Sequence, residues 1–277
     1  MSRIWFITGV SSGFGRAIAE AALGEGDTVV GTTRTQQDLR AFESLAPGRS
    51  HAVILDVTDE AAIAPAVDRI EREIGAIAIL VNNAGYGHEG LVEESAMDAL
   101  RRQFEVNVFG AVAVIKAVLP HMRARRRGHI LNITSMGGLM TLPGLAYYHG
   151  SKFALEGISE SLGKEVKHLG IHVTAVEPGS FRTDWAGRSM VRAARNIPDY
   201  DALMDPIRER RQAISGRQIG DPARLGAALL KIVAADEPPT HLLLGSDALR
   251  LVSEKIDQLG VEFAAWKDVT LSTDAPL

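Results

Sequence analysis

The sequence predicts an α/β fold: a single Rossmann-type, doubly wound domain with a parallel sheet of about seven strands and helices on both faces. Short runs rich in β-branched residues alternate with longer segments of helical periodicity. The short runs are apolar on both faces, as strands of a buried parallel sheet are. The longer segments supply the crossover helices, and right-handed crossovers then give the doubly wound arrangement.

Seven runs are predicted as strands because β-branched and apolar side chains dominate them: residues 4–8, 28–33, 51–56, 77–82, 129–134, 171–177 and 241–244. Helical spacing of apolar residues predicts helices at 15–23, 60–74, 97–122, 148–169 and 222–234. No repeat or linker divides the chain, so residues 1–277 are expected to form one domain. The irregular stretch around 181–220 is either a substrate lid or an ordinary helical insertion, and a C-terminal helical extension is expected around 246–267.

Composition and charge limit the function classes. The chain is 46% hydrophobic, enough for a substantial core, and its formal net charge is −4. That charge offers no general attraction for nucleic acid or an anionic membrane, and the basic run 123–127 is interpreted as the solvated end of a helix. We therefore expect neither nucleic acid nor a membrane as a partner. The sequence has no cysteine, which excludes disulfides, thiolate nucleophiles and cysteine-ligated metals.

The expected location is the cytoplasm. No apolar stretch is expected to be long enough to cross a bilayer. The apolar run at the N-terminus turns at once to glycine and lacks the length and cleavage region of a secretory signal.

A glycine-rich turn follows the first predicted strand. The segment reads Thr8-Gly9-Val10-Ser11-Ser12-Gly13-Phe14-Gly15 and leads into a predicted helix. Glycines let the backbone turn sharply and approach a pyrophosphate, while the N–H groups of a helix N-terminus supply donors and a positive pole. The spacing G-x-x-x-G-x-G differs from the G-x-G-x-x-G fingerprint, so it indicates a different subtype of dinucleotide site.

Two further motifs follow later strands. Asn82-Asn83-Ala84-Gly85 ends the fourth, where ligands of doubly wound sheets bind, although such a motif alone is more often a turn. Ser135 follows the fifth strand, and Tyr148 and Lys152 lie four positions apart on one face of a predicted helix. A nearby ammonium is expected to lower the tyrosine pKa towards working pH, as a general acid/base requires, with Ser135 holding the substrate oxygen. An isolated Tyr-x-x-x-Lys usually has no such role, but here all three motifs occur in one chain in a coherent order.

Together these motifs resemble the short-chain dehydrogenase/reductase family, over roughly residues 3–244. The resemblance implies hydride transfer between a nicotinamide cofactor and a carbonyl compound or alcohol, without a metal. It implies a catalytic tetrad of Asn107, Ser135, Tyr148 and Lys152. In that tetrad Tyr148 gives the proton, while Lys152 holds the nicotinamide ribose and, with Asn107 and water, relays the proton. A homodimer or homotetramer is expected. The cofactor is expected to contact Gly9, Ser11, Ser12, Gly13, Phe14, Gly15, Arg34, Asp56, Val57, Asn83, Ala84, Gly85, Tyr148, Lys152, Pro178, Gly179 and Thr183.

The end of the second predicted strand indicates that NADP(H) is preferred, with NAD(H) as the alternative cofactor. In NAD-preferring sites an acidic residue there accepts hydrogen bonds from the ribose hydroxyls. Here Thr33 stands where the resemblance places the acid, and Arg34 follows it. A guanidinium can grip a 2′-phosphate by two parallel hydrogen bonds, and the hydroxyls of Thr33 and Thr35 are expected to add donors.

The expected substrate pocket is mostly bulky and apolar, which favours a hydrophobic or aromatic ketone or secondary alcohol. By family position it comprises Tyr86, His88, Met136, Met140, Leu142, Leu145, Trp185 and Met190, although core or lid packing explains several of these equally well. A second hypothesis is a catalytically inactive nucleotide-binding or sensing protein on the same fold, against which the intact tetrad argues. A third, a hydrolase with Ser135 as nucleophile, lacks the required G-x-S-x-G elbow.

Overall fold

The computed structural model describes residues 2–183, 185, 187 and 189–275. Strands alternate with helices along most of the described chain, as the hydrophobic pattern predicts. The strands are β1 (Ile4–Ile7), β2 (Thr28–Thr33), β3 (Ser50–Ile54), β4 (Ile77–Asn82), β5 (Gly87–Glu89), β6 (Gly128–Ile133), β7 (Ile171–Pro178), β8 (Met190–Arg192) and β9 (His241–Leu244). The helices are α1 (Gly13–Gly24), α2 (Gln36–Glu43), α3 (Glu60–Glu73), α4 (Met97–Phe104), α5 (Gly110–Arg125), α6 (Ala146–Val166), α7 (Asp201–Ala213), α8 (Pro222–Val233), α9 (Ser246–Ala265) and α10 (Lys267–Leu271).

Seven of these strands form one parallel sheet in the order β3-β2-β1-β4-β6-β7-β9. The chain starts with β1, adds strands outward to β3, and then returns to place β4 on the other side of β1. This reversal puts a crevice at the carboxyl ends of β1 and β4, where doubly wound sheets bind their ligands. The sheet confirms the predicted fold class and its seven strands.

Apolar layers cover both faces of the sheet. On one face, α3, α5 and α6 pack on strand residues such as Phe6 and Leu80. On the other face, α1 and α8 pack on each other and on residues such as Trp5 and Leu131. Because the strands are held between two helical layers, their carboxyl ends form a fixed platform for a site.

The hydrophobic pattern missed several short elements. β5 and β8 pair in parallel as a separate two-stranded sheet, with Gly87 opposite Met190. Each has three residues, too few to show the two-residue period of a strand. The helix α2 was also missed, and its start is fixed by Thr35, whose hydroxyl accepts a hydrogen bond from the backbone N–H of Asp38 at 3.1 Å.

The helix predicted at residues 97–122 is continuous from Met97 to Arg125, but a π-helical turn at Glu105–Phe109 separates α4 from α5. By length and composition alone this helix could cross a bilayer, so the expectation that no stretch is long enough was wrong. Composition does not distinguish a membrane span from a core helix. Here Val114, Val118 and Met122 are fully buried among the core side chains, so one face of the helix belongs to the core.

Part of the insertion predicted around residues 181–220 folds as β8 and α7. Ion pairs connect this part to the rest of the domain. The buried carboxylate of Glu89, on β5, pairs with Arg192 at 3.4 Å, Arg208 at 2.9 Å and Arg211 at 3.2 Å. The insertion is therefore at least partly helical, and its closure over the site stays a prediction. The expected C-terminal extension is present as α9 and α10.

Candidate active site

A cleft of about 1000 Å³ opens at the carboxyl ends of the strands, at the point where the strand order reverses. Its floor is the glycine turn after β1 and the polar turn after β4, and its far end reaches α6. Most residues that the sequence assigns to the cofactor line it. They are Gly9, Ser11, Ser12, Gly13, Phe14, Arg34, Asp56, Val57, Asn83, Ala84, Gly85, Tyr148, Lys152 and Thr183.

The glycine turn has the shape that a pyrophosphate requires. Gly9 and Gly13 have φ angles of +73° and +59°, a left-handed conformation that side chains disfavour. Gly15 lies outside the cleft lining, and its role is packing, because a Cβ there would come 2.1 Å from the carbonyl oxygen of Gly9. The turn thus brings the N-terminus of α1 to the cleft, where its N–H groups and positive pole suit a diphosphate. The residues present fit a dinucleotide.

The N-N-A-G motif is more than a turn, because it ties the end of β4 to the glycine turn. The Thr8 hydroxyl accepts hydrogen bonds from the N–H groups of Asn83 at 2.9 Å and Ala84 at 3.0 Å. The Asn83 side chain in turn donates to the carbonyl oxygens of Thr8 at 2.9 Å and Gly9 at 2.8 Å. Asn82 instead donates to the Asn132 side chain at 2.8 Å, which joins β4 to β6.

Tyr148 and Lys152 line the inner end of the cleft, Ser135 lies next to Tyr148 just outside the lining, and all three are buried. The Ser135 hydroxyl faces that of Tyr148 and acts to lower its pKa. Ser135 also accepts a hydrogen bond from the Gly137 N–H at 2.9 Å, which orients its hydroxyl. The Lys152 ammonium donates to the Ile133 carbonyl at 2.8 Å and lies 5.8 Å from the centre of the Tyr148 ring. The arrangement can transfer a proton to an oxygen held beside both hydroxyls.

Asn107, the fourth member of the tetrad, lies in the π-helical turn and is almost fully buried. Its side-chain amide donates to the carbonyl of Tyr86 and to the hydroxyl of Ser151, both at 3.1 Å, and its oxygen accepts from the Tyr86 N–H at 3.1 Å. These bonds join the long helix, α6 and the loop after β4. A π-turn at a functional position is common because it re-aims one side chain.

Comparison with known proteins agrees with this geometry. The family model described as short chain dehydrogenase matches residues 3–192. The chain belongs to the short-chain dehydrogenase family.

Relatives in this family match nearly the whole chain. It is 38% identical to the oxidoreductase BOA17 of Botryotinia fuckeliana, over 99% of this chain and 100% of that protein. It is also 38% identical to a 3-ketodihydrosphingosine reductase of Bacteroides thetaiotaomicron, over 88% of each. A solved short-chain dehydrogenase from Streptomyces avermitilis superposes with a TM-score of 0.92 at 39% identity, covering 99% of this chain and 98% of that one. This member of the family is therefore an oxidoreductase.

Burial sets the electrostatics of the catalytic corner in this short-chain dehydrogenase. It raises the pKa of Tyr148 to about 12, against a smaller lowering by the Ser135 hydrogen bond. Burial also lowers the pKa of Lys152 to about 8, although the negative charge of Glu156 opposes it. The sequence predicted that Lys152 lowers the tyrosine pKa. The net shift of the Tyr148 pKa is instead upward, because the free energy lost by removing the phenolate from water exceeds the stabilisation that its neighbours provide.

Charges at the adenosine end of the cleft surround Asp56. Its carboxylate accepts hydrogen bonds from the N–H and hydroxyl of Thr58, at 2.9 and 2.8 Å. These bonds, aided by the charges of Arg34 and Arg102, hold the pKa of Asp56 below its usual value. Arg34 is exposed and lines the cleft, and its contact with a phosphate stays a prediction. Arg102 was missed because it comes from α4, remote in sequence. The Thr35 hydroxyl donates to Asp38 at 2.8 Å, and its donation to a phosphate stays a prediction.

The predicted substrate residues are distributed over two regions. Tyr86 and Trp185 line the cleft, and Trp185 packs against Tyr148 with ring centres 5.1 Å apart. Leu145 and Met190 join Trp185 in one apolar cluster around Tyr148. Leu142 instead lines a separate depression on the outer surface, with Pro143, Ala146 and Phe153. Met136 and Met140 belong to the turn after Ser135 and line neither cavity.

His88 was expected in the substrate pocket, and the structure places it in the packing around α6. Its Nε2 lies 3.0 Å from the Ser95 hydroxyl, and its ring stacks on Tyr147 with centres 5.2 Å apart. Burial lowers its pKa, which keeps the ring neutral. Pro178 and Gly179 also lie outside the cleft lining, where the Gly179 N–H donates to the Leu244 carbonyl at 2.8 Å and joins β7 to β9.

Sequence reasoning missed His149, which connects the catalytic helix to the turn after Ser135. Its Nδ1 lies 2.8 Å from the Gly137 carbonyl oxygen, and its Nε2 accepts a hydrogen bond from the Leu142 N–H at 2.9 Å. These two contacts require a neutral ring with the proton on Nδ1. Since Gly137 in turn donates to Ser135, His149 holds in place the hydroxyl that faces Tyr148. Its position beside Tyr148 was the only available signal.

Proposed function

We propose that this oxidoreductase uses NADP(H) to interconvert a ketone or aldehyde and the corresponding alcohol, with a hydrophobic or aromatic substrate. One observation carries the proposal: Tyr148 and Lys152 line the inner end of a dinucleotide-shaped cleft, and the buried Ser135 hydroxyl faces that of Tyr148. A protonated phenol, a second hydroxyl and an ammonium in one water-poor corner suit proton transfer to a carbonyl oxygen.

The chain's own residues hold the reacting oxygen and supply its proton. When bound, the nicotinamide supplies or accepts the hydride. Ser135 donates a hydrogen bond to the carbonyl oxygen, and the Tyr148 hydroxyl gives that oxygen a proton as the alcohol forms. Its raised pKa keeps the phenol protonated at neutral pH, which suits the reductive direction. Lys152 stabilises the phenolate that results, since its ammonium lies 5.8 Å from the ring centre.

The preference for NADP(H) rests on Arg34. It stands at the cleft edge directly after β2, and no carboxylate occupies the preceding position, Thr33. The Arg34 guanidinium can form two parallel hydrogen bonds with a 2′-phosphate. Arg102, across the cleft on α4, adds a second positive charge near Asp56. NAD(H) lacks the phosphate that these cations would recognise.

The substrate end favours an apolar or aromatic molecule. Trp185 and Tyr86 line the cleft beside the catalytic hydroxyl, with Leu145 and Met190 behind them. The buried indole N–H of Trp185 makes no hydrogen bond to the described residues, so it is available to a second polar group of a substrate. The Bacteroides relative is named for reducing a keto group, which supports reduction as the direction.

The test is turnover of a panel of aliphatic and aromatic ketones with NADPH and with NADH, followed at the nicotinamide absorbance. Apolar ketones should be reduced with NADPH more efficiently than with NADH. Binding of NADPH without reduction of any ketone, and without oxidation of the matching alcohols by NADP⁺, would instead indicate an inactive nucleotide-binding protein.

A further inference from the structure

Glu156, Glu177 and His241 form a cluster of ionisable side chains behind Lys152, and the catalytic mechanism above does not use them. Tyr148, Lys152 and Glu156 are spaced four residues apart on α6 and therefore share one face of the helix. Glu156 is 5% exposed and is the next ionisable group after Lys152 along that face. The charges of Lys152 and Glu156 influence each other's pKa. No ion pair joins the two side chains among the described residues, so a proton would pass between them through an intervening water.

From Glu156 the cluster continues to the edge of the sheet. Glu177 on β7 is fully buried, and His241 on the edge strand β9 has 41% of its side chain exposed. The Nδ1 of His241 lies 2.7 Å from Glu177 and 3.5 Å from Glu156. One polar atom from each of the three residues lies within 4.8 Å of the others. The cluster therefore runs from the buried lysine to solvent.

The buried pair of carboxyls is short of donors. The hydroxyl of Thr134 lies against Glu156, but its proton goes to the Val176 carbonyl at 2.8 Å, so it can only accept from Glu156. Two ionised carboxylates this close and this buried would repel strongly and lose their hydration. A proton on one of them removes both costs, because the protonated carboxyl can donate to the other or to Thr134.

Burial accordingly raises the pKa of both carboxyls, and the charge of Glu177 adds to the rise at Glu156. The charged groups around the pair are Lys152 on the same helix, His241 on β9, and Glu160, which acts on His241 from the outer end of α6. A shared proton explains the cluster better than a bound cation. The 2.7 Å from His241 to Glu177 is a hydrogen bond, whereas two ligands of a tetrahedral ion lie roughly 3.3 Å apart.

We propose that Glu156, Glu177 and His241 form a proton relay that connects Lys152 with solvent; the proposal rests on the proposed function. In reduction, Tyr148 gives its proton to the substrate oxygen, and the Lys152 ammonium replaces it. The protonated carboxyl of Glu156 then protonates the neutral lysine through an intervening water, which leaves both carboxyls ionised. His241 passes a proton to the Glu177 carboxylate and takes one from water, and Glu177 transfers its proton to Glu156, so the pair again holds one shared proton. Each group is then back in its starting protonation state. In alcohol oxidation each proton moves in the opposite direction, from Tyr148 to solvent.

The test compares Glu156→Gln and Glu177→Gln with the matched control Glu165→Gln, which removes an exposed carboxylate from the same helix, away from the buried pair. Each relay variant should lower kcat by about tenfold or more at neutral pH while leaving KM nearly unchanged. Imidazole added as a small proton donor should restore part of the lost rate, and the pH dependence of kcat should change. A merely structural role would not give rescue by imidazole. Glu165→Gln should behave as wild type.

His241→Asn keeps the proposal testable if a buried variant fails to fold, because His241 is half-exposed at the sheet edge. It should show the same imidazole rescue. The relay is overturned if these variants keep the wild-type rate and pH profile, or if imidazole restores nothing.

A measurement without turnover separates this proposal from the proposed function. Carbon-13 NMR of glutamate side chains in the free protein should show one of the paired carboxyls titrating well above the ordinary value of about 4.3. Replacing either partner by glutamine should leave a single titration step at the other. Two carboxyls that both titrate at the ordinary value would overturn the shared proton even if the enzyme is active. An inactive wild type with the split titration would refute the proposed function alone.

Discussion

Lys152 donates a 2.8 Å hydrogen bond to the carbonyl of Ile133, the last residue of β6. Tyr148 lies one helical turn earlier on α6, so this bond fixes the catalytic pair relative to the end of the sheet. The bond also keeps a lysine in an almost dry position, where burial lowers its pKa to about 8. The lysine is therefore charged at neutral pH and lies close to its own titration.

Lys152→Met should change how stability depends on pH. The folded-state pKa of about 8 lies below the ordinary 10.5, so between about pH 8 and pH 10 the unfolded chain binds more protons than the folded one. The free energy of unfolding contributed by this residue therefore rises with pH in that window. Across this window the free energy of unfolding of the wild type should increase, relative to that of the variant, by up to roughly 3 kcal/mol. Urea unfolding of both proteins at several pH values measures the difference, and a constant difference would contradict the assignment.

Tyr148→Phe should remove nearly all turnover. The lost hydroxyl is the proposed proton donor, whereas the ring still packs against Trp185, Leu145 and Met190. The rate should fall by about 10²–10⁴-fold, with cofactor affinity nearly intact by fluorescence titration. A variant that keeps more than about a tenth of the rate would exclude Tyr148 as the acid.

His149→Phe should loosen the turn that orients Ser135. The ring volume is kept, but the Gly137 carbonyl and the Leu142 N–H lose their partner. Each unpaired buried group costs about 1–3 kcal/mol, and kcat should fall because the Ser135 hydroxyl is no longer fixed. Thermal unfolding and steady-state kinetics check both effects.

The His149→Phe variant should also differ from the wild type in how its stability depends on pH below neutrality. Burial lowers the pKa of His149 from the ordinary 6.5, so below that pH the unfolded chain binds the extra proton and wild type loses stability as pH falls. The phenylalanine variant cannot titrate at this position, so the gap between the two proteins should narrow towards acid pH. A gap that widens would show that the ring is not held neutral.

Arg34→Ala should raise the KM for NADPH steeply while changing that for NADH little. The variant lacks the guanidinium that forms two hydrogen bonds with the 2′-phosphate of NADPH. NADH has no such phosphate, so its binding does not depend on Arg34. Arg40→Ala, which removes an exposed cation from α2, is the control for a general change of charge. Equal efficiency of NADH and NADPH in the wild type would show that Arg34 does not recognise the phosphate.

Glu89→Gln should release the insertion that carries β8 and α7. Arg192, Arg208 and Arg211 would then face a neutral amide, and breaking a buried ionic cluster typically costs about 3–5 kcal/mol. Hydrogen exchange should show lost protection in α7, with the central sheet unchanged. Glu209→Gln, an exposed carboxylate on the same helix, should show neither effect. The lid hypothesis further expects protection to rise in wild type when cofactor and substrate are both bound.

The sequence alone was sufficient for the sheet, its seven strands and the motifs at their ends. Each strand is a short apolar run, and each motif is a few adjacent residues whose chemistry is readable locally. The Gly9 and Gly13 turn and the Tyr148–Lys152 spacing are of this kind.

Tertiary structure alone decided the interactions between distant segments. Glu89 and Arg211 are separated by 122 residues, and Glu177 and His241 by 64. A pattern that repeats every two to four residues therefore cannot predict that either pair is in contact. The sign of the Tyr148 pKa shift was also beyond the sequence, because it depends on how much water the fold excludes. Local patterns report the hydrogen-bonding geometry of neighbours in the chain, whereas burial and charge pairing are properties of the packed whole.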